Sequence, residues 1–108
     1  MDAERAVFVY TTYPSLVEAE RIGRALLERR LAACVNILHG MISHYWWQGA
    51  IERAEEVVMI IKTRASLSEG VGAAVKEMHS YTTPAILVLP IEGGEPGYLR
   101  WLMAETEP

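Results

Sequence analysis

The order of elements in the sequence predicts a ferredoxin-like α/β sandwich, βαββαβ with an added C-terminal helix. Three observations predict it. Short apolar runs, AVFVY at residues 6–10 and AILVL at 85–89, read as buried strands near the two ends of the chain. Two stretches open on serine with a glutamate three residues later, Ser15 with Glu18 and Ser66 with Glu69, as helix starts do. Between them, residues 31–63 form two runs rich in Val, Ile, Tyr and Trp that meet at Gln48-Gly49, a hairpin signal.

The first strand is nearly all apolar, as a strand in the middle of a sheet is, and Thr11-Thr12-Tyr13-Pro14 ends it. The helix that follows runs to about Arg30 and places Ala19, Ile22, Ala25, Leu26 and Leu27 at helical spacing. The hairpin comes next. His39-Gly40 interrupts its first arm, so a bulge or bend is expected there. The segment AIERAEE contains good helix formers, but VVMII behind it is β-branched, and a strand is preferred. In the second helix Leu67, Val71, Val75 and Met78 form one face, weakened by Gly70 and Gly72 at up to about 1 kcal/mol each. Residues 79–84 are a loop ended by Pro84. The last strand stops at Pro90, and residues 98–105 (YLRWLMAE) make a short terminal helix.

The hairpin arms are too long for the domain that carries them. About 16 residues at about 3.3 Å each span roughly 50 Å. A compact domain of this length is only roughly 35 Å across. The tip at Tyr45-Trp46-Trp47 therefore overhangs, and strand edges bearing aromatics need a partner. Another copy of the chain is the nearest candidate, with Tyr45, Trp46 and Trp47 at the interface.

Composition bounds the function. A chain of 108 residues that is 51% hydrophobic supports one packed domain, residues 1–108. Its formal charge of -4 disfavours a nucleic-acid binder, which needs a basic face. The acidic opening from Met1 lacks the apolar segment of a secretion signal, and no apolar run could span a bilayer. One cysteine excludes an internal disulfide framework. A cytoplasmic protein is expected, without membrane or nucleic-acid partners.

No P-loop, dinucleotide fingerprint or hydrolytic triad is present, so no catalytic residue and no enzyme is expected. Glu52, Glu55 and Glu56 read as a solvated strand edge that discourages aggregation. The soft donors are Cys34, His39, His44 and His79, and they would favour copper or zinc over magnesium. No CxxC, HxH or HExxH spacing gathers them. A free cysteine in LAACV is more often a small buried hydrophobe than a ligand. His79, at a helix end, is the best placed, with capping of the helix's last carbonyls as its structural role. Lys62 ends the second arm and suits either an anion in a cleft or a cation reaching solvent.

Five blocks occur in order: Leu31-Ala32-Ala33-Cys34-Val35-Asn36, Tyr45-x-Trp47-x-Gly49, Lys62-Thr63, His79-x-Tyr81-x-x-Pro84 and Tyr98-Leu99-x-Trp101-Leu102. Over nearly its whole length the chain thereby resembles the CutA divalent-cation-tolerance family. The resemblance implies a ferredoxin-like fold assembled as a homotrimer, similar in architecture to PII-type signalling trimers whose inter-subunit clefts bind small effectors. It also implies a response to divalent metals, with Cu2+ or a similar cation bound weakly at or near His79, and with Cys34 as a second candidate where it is accessible. The alternative it implies is a signalling or adaptor trimer that binds a small anionic ligand through Lys62, Tyr81 and Trp47. The chain departs from the family pattern at Ser80, where proline is usual, and at Ala85, where glutamate is usual. The second change leaves one carboxylate fewer beside His79.

Overall fold

The computed structural model describes residues 4–107; the acidic opening read above as lacking a secretion signal lies partly outside them. The chain runs β1 (Ala6–Tyr13), α1 (Leu16–Glu28), β2 (Cys34–Trp47), β3 (Ala50–Arg64), a 3-10 turn (Ala65–Leu67), α2 (Ser68–Met78), β4 (Ile86–Pro90) and α3 (Pro96–Glu105). The four strands form one sheet in the order β2-β3-β1-β4, every neighbouring pair antiparallel. β3 lies between β1 and β2, which is the split βαβ arrangement of the ferredoxin-like sandwich. No helix among the described residues is long and apolar enough to cross a membrane.

Alternation along the strands decides what is buried. Val7, Val9 and Tyr13 of β1 and Val57, Met59 and Ile61 of β3 point at the helices. They pack on Ala19, Ile22 and Leu26 of α1 and Val71 and Val75 of α2. α1 comes so close that a methyl group on Gly23 would lie 2.8 Å from Met59 Sδ and 3.1 Å from Val35 Cγ2. The opposite face carries α3 only at one end, where Lys62 meets Tyr98 and the Arg64 side chain donates to Met103 O and Thr106 Oγ1. Leu38, Leu87 and Leu89 sit there about half exposed.

Several boundaries differ from expectation, each for a local reason. β1 continues through Thr11, Thr12 and Tyr13, because all three suit a strand and the Thr11 hydroxyl donates to Met59 O. α1 stops at Glu28 in a Schellman motif: Arg30 takes a left-handed φ of 58°, and the Leu31 and Arg30 amides bond to Leu26 O and Leu27 O. Ser15 caps α1, accepting from the Glu18 amide, but the reciprocal half of the capping box does not form, because the Glu18 carboxylate goes to Ser80. The second capping box does not form. A 3-10 turn takes residues 65–67, the Ser66 amide goes to the Glu4 carboxylate, and the Ser68 hydroxyl donates to Ala65 O. α3 starts at Pro96, a residue suited to the first helical turn, with the Glu95 side chain as its cap.

The hairpin is as long as the sequence demands. Its arms of 14 and 15 residues meet at Gln48 (φ 49°) and Gly49 (φ 83°), the two positive values a type I′ turn needs. The chain's longest dimension is 46 Å as a result. The interruption at His39-Gly40 is a β-bulge: pairing skips from Leu38 opposite Val58 to Met41 opposite Glu56, and Gly40 has a φ of 86°.

Candidate functional site

β1 ends at Tyr13, opposite Val57, whereas β3 continues outward to Ala50. The distal half of the hairpin therefore has no β1 beside it. The loop after α2 fills part of that space, and a cavity of about 840 Å³ remains between loop and hairpin. Glu56, Tyr45, Trp47 and His44 line it from the hairpin; Tyr81 and Ala85 line it from the loop and the strand that follows.

His79 anchors this loop. Its ring is fully buried, stacked 4.8 Å from Tyr13 and tilted against Tyr81 at the same distance. Nε2 lies 2.6 Å from the carbonyl oxygen of Thr12, and Nδ1 accepts the Tyr81 amide at 3.0 Å. A ring nitrogen that accepts an N–H carries no proton, so the proton sits on Nε2 and is donated to Thr12. Glu18 supports the same turn from α1. Its Oε2 accepts the Ser80 amide and hydroxyl, each at 3.0 Å, and lies 3.4 Å from Nδ1. Burial opposes ionisation of Glu18, but the two Ser80 hydrogen bonds, aided by the charge of Arg21, outweigh it and hold the carboxyl below its ordinary value.

Tyr81 reaches from the loop across to the hairpin, where its hydroxyl donates to Glu56 Oε2 at 3.0 Å. Burial, then the hydrogen bond and charge of Glu56, push the Tyr81 phenol up to about 12. The reading of Glu52, Glu55 and Glu56 as one solvated edge needs correcting. The first two are exposed, but Glu56 is buried under the loop. Its position next to VVMII, on the same strand face as Val58, was the available signal. Thr12, whose carbonyl holds His79, carried no signal in the sequence.

The residues grouped in the sequence separate here. Trp47 and Tyr81 share the cavity, while Lys62 does not line it. Lys62 Nζ instead accompanies Tyr98, 3.1 Å from its hydroxyl and 5.3 Å from its ring centre, with the Phe8 ring at 5.8 Å. Cys34 pairs with Lys62 across the strands; it is half-buried, and its sulfur accepts weakly from Asn36 Nδ2 at 3.8 Å. His39 lies in the bulge and His44 on the distal arm, both exposed. Tyr45, Trp46 and Trp47 are exposed at the tip, Trp46 by 73%.

A closed cation site does not result. No three His, Cys, Asp or Glu groups converge among the described residues. His79 holds its only lone pair against the Tyr81 amide, so neither ring nitrogen is offered to an ion. Cys34 supplies a single soft donor.

The family model described as CutA1 divalent ion tolerance protein matches residues 7–105. A divalent-cation tolerance protein CutA from Archaeoglobus fulgidus is 54% identical over 100 residues, covering 93% of this chain and 97% of its own. The solved structure of a protein from the same organism, described as a periplasmic divalent cation tolerance protein, superposes with a TM-score of 0.92 at 51% identity, over 94% of this chain and 99% of that one. CutA1 from Oryza sativa superposes with the same TM-score at 40% identity, over 95% and 94%.

Proposed function

The chain belongs to the CutA1 divalent ion tolerance family, and from that premise we propose that it acts in the tolerance of divalent cations as a cytoplasmic homotrimer that carries out no reaction. Trimer formation is supported by the overhanging hairpin. Residues 50–56 of β3 lack a strand partner on the β1 side among the described residues, and the tip aromatics are exposed beside them. Leu38, Leu87 and Leu89 remain exposed on the sheet face opposite the core, which α3 covers only in part, and call for the same burial.

Contact with Cu2+ or a similar ion in this reading is weak and open-sided. The single observation that carries it is the commitment of both His79 nitrogens, which leaves the half-buried Cys34 thiol and the exposed His39 and His44 rings as separate single donors. An anionic ligand gathered by Lys62, Tyr81 and Trp47 would need a second subunit to bring Lys62 to the cavity.

Native mass spectrometry of the untagged protein, with and without a modest excess of Cu2+, tests the reading. A trimer that gains copper in multiples of three, and loses part of that gain in Cys34→Ser, is expected. A monomer at micromolar concentration refutes the assembly, and a trimer that stays free of copper refutes direct contact. Tyr45→Ala with Trp47→Ala should weaken the trimer, since each buried aromatic contributes about 1.5–3 kcal/mol and symmetry repeats it.

A further inference from the structure

We propose that the loop after α2 is a proton-operated latch: a proton taken up on His79 Nδ1 is received by Glu18, expels the Tyr81 amide and releases Tyr81 from Glu56 on the hairpin. Neither cation binding nor any contact between subunits is needed for it.

One residue carries both ends of the latch. The Tyr81 main-chain amide donates to His79 Nδ1 at 3.0 Å, and the Tyr81 hydroxyl donates to Glu56 Oε2 at 3.0 Å. The amide takes the only lone pair that the neutral ring offers. A proton on Nδ1 points at the amide hydrogen, so proton and amide compete for one place. Acid therefore favours the open loop, and neutral conditions the closed one. Histidine is the side chain whose charge ordinarily changes between about pH 5 and 8.

The cluster also holds the receiver. The ring is fully buried, so its charge needs a partner within the protein, and Glu18 Oε2 lies 3.4 Å from Nδ1. Glu18 stays ionised in mild acid, because its Ser80 bonds hold the carboxyl below its ordinary value. Nε2 carries a proton in both states and keeps its bond to Thr12 O, so the ring stays in place while Nδ1 changes partners. Ser80, tied to Glu18, stays as well, and the loop yields between Ser80 and Tyr81.

The other groups facing the ring do not imitate this step. Tyr13 on β1 and Tyr81 are phenols pushed up to about 12, and both are neutral in mild acid. Arg21 on α1 is turned to Met78 O, at the end of α2, and Glu56 on β3 reaches the ring only through Tyr81.

Nitrogen NMR and amide hydrogen exchange on the assembled protein, at about pH 7.5 and about pH 5.5, test the latch. Nδ1 is expected to be unprotonated in the first condition and protonated in the second. Over that interval the protection of the Tyr81 amide, corrected for intrinsic exchange, should fall at least about tenfold, while the Ser80, Val9 and Ile61 amides keep theirs. Glu18→Gln should move the change to more acid pH, and an unmoved change refutes Glu18 as the receiver. Glu56→Gln, which keeps an acceptor for Tyr81, should leave it in place; its disappearance there would assign the titration to Glu56 and overturn the proposal. In the unaltered protein, an Nδ1 still unprotonated at the lower pH overturns it, as does a protonated Nδ1 with Tyr81 protection unchanged. Those two readings need no variant, so a folding defect in one cannot mask the result.

Discussion

The Nε2 proton of His79 is spent on the carbonyl oxygen of Thr12, 2.6 Å away, where β1 ends. That bond joins the loop after α2 to the sheet and makes the histidine a structural member of the site.

His79→Ala is therefore expected to destabilise the fold while leaving copper stoichiometry unchanged. Losing the ring opens a gap between Tyr13 and Tyr81 and leaves the Thr12 carbonyl and Tyr81 amide without this partner. The cost should be about 2–4 kcal/mol by denaturant titration. A drop in bound copper with no loss of stability would reverse the assignment.

Tyr13→Phe should stabilise the protein. The Tyr13 hydroxyl is buried with no hydrogen-bond partner among the described residues, so its removal is expected to gain about 1 kcal/mol. Burial also pushes this phenol up to about 12. An unfolded tyrosine ionises near pH 10, so between about 10 and 12 the unfolded chain holds fewer protons than the folded one, and stability falls as pH rises. Tyr13 contributes up to about 2–3 kcal/mol of that alkaline loss, since its side chain is fully buried. Urea titrations across this range should show a shallower fall in Tyr13→Phe.

Glu18→Gln should act at the other end of the pH scale. The folded-state pKa of Glu18 is depressed, so its contribution is complete above the unfolded value, near 4.5, and disappears as pH falls through the folded one. The variant should lose about 1–2 kcal/mol at neutral pH and little at acid pH. A constant difference across both conditions would mean that the Ser80 bonds do not depend on the charge.

Gly23→Ala sets two effects against each other. Alanine favours a helix by about 1 kcal/mol over glycine. The added methyl, however, meets Met59 and Val35 in a packed core, and overpacking costs about 1–3 kcal/mol. Packing should win, lowering the thermal midpoint. A rise would show that the Met59 side chain moves aside freely.

Element order, hairpin and bulge were legible because their signals are local: Gly49 at a turn, Gly40 inside a strand, Ser15 before a helix. The site was less legible because its contacts are remote in sequence. His79 and Thr12 are 67 positions apart, and Tyr81 and Glu56 are 25 apart. Strand alternation could place Glu56 on a face, but not beneath a loop. The failed capping box at Ser66 has the same cause, since Glu4, from the far end of the chain, takes the amide.

The bulge at Gly40 works as a frame shift in three dimensions. Before it, Cys34, Asn36 and Leu38 share the face of Lys62 and Val58; after it, Met41, Ser43, Tyr45 and Trp47 take that face with Glu56. Even-numbered residues yield to odd-numbered ones at a single step. Without the extra residue, Trp46 and His44 would look toward Glu56, and Tyr45 and Trp47 would look away. One glycine thus sets the phase of the distal hairpin, and point substitutions there keep that phase while a one-residue deletion would invert it.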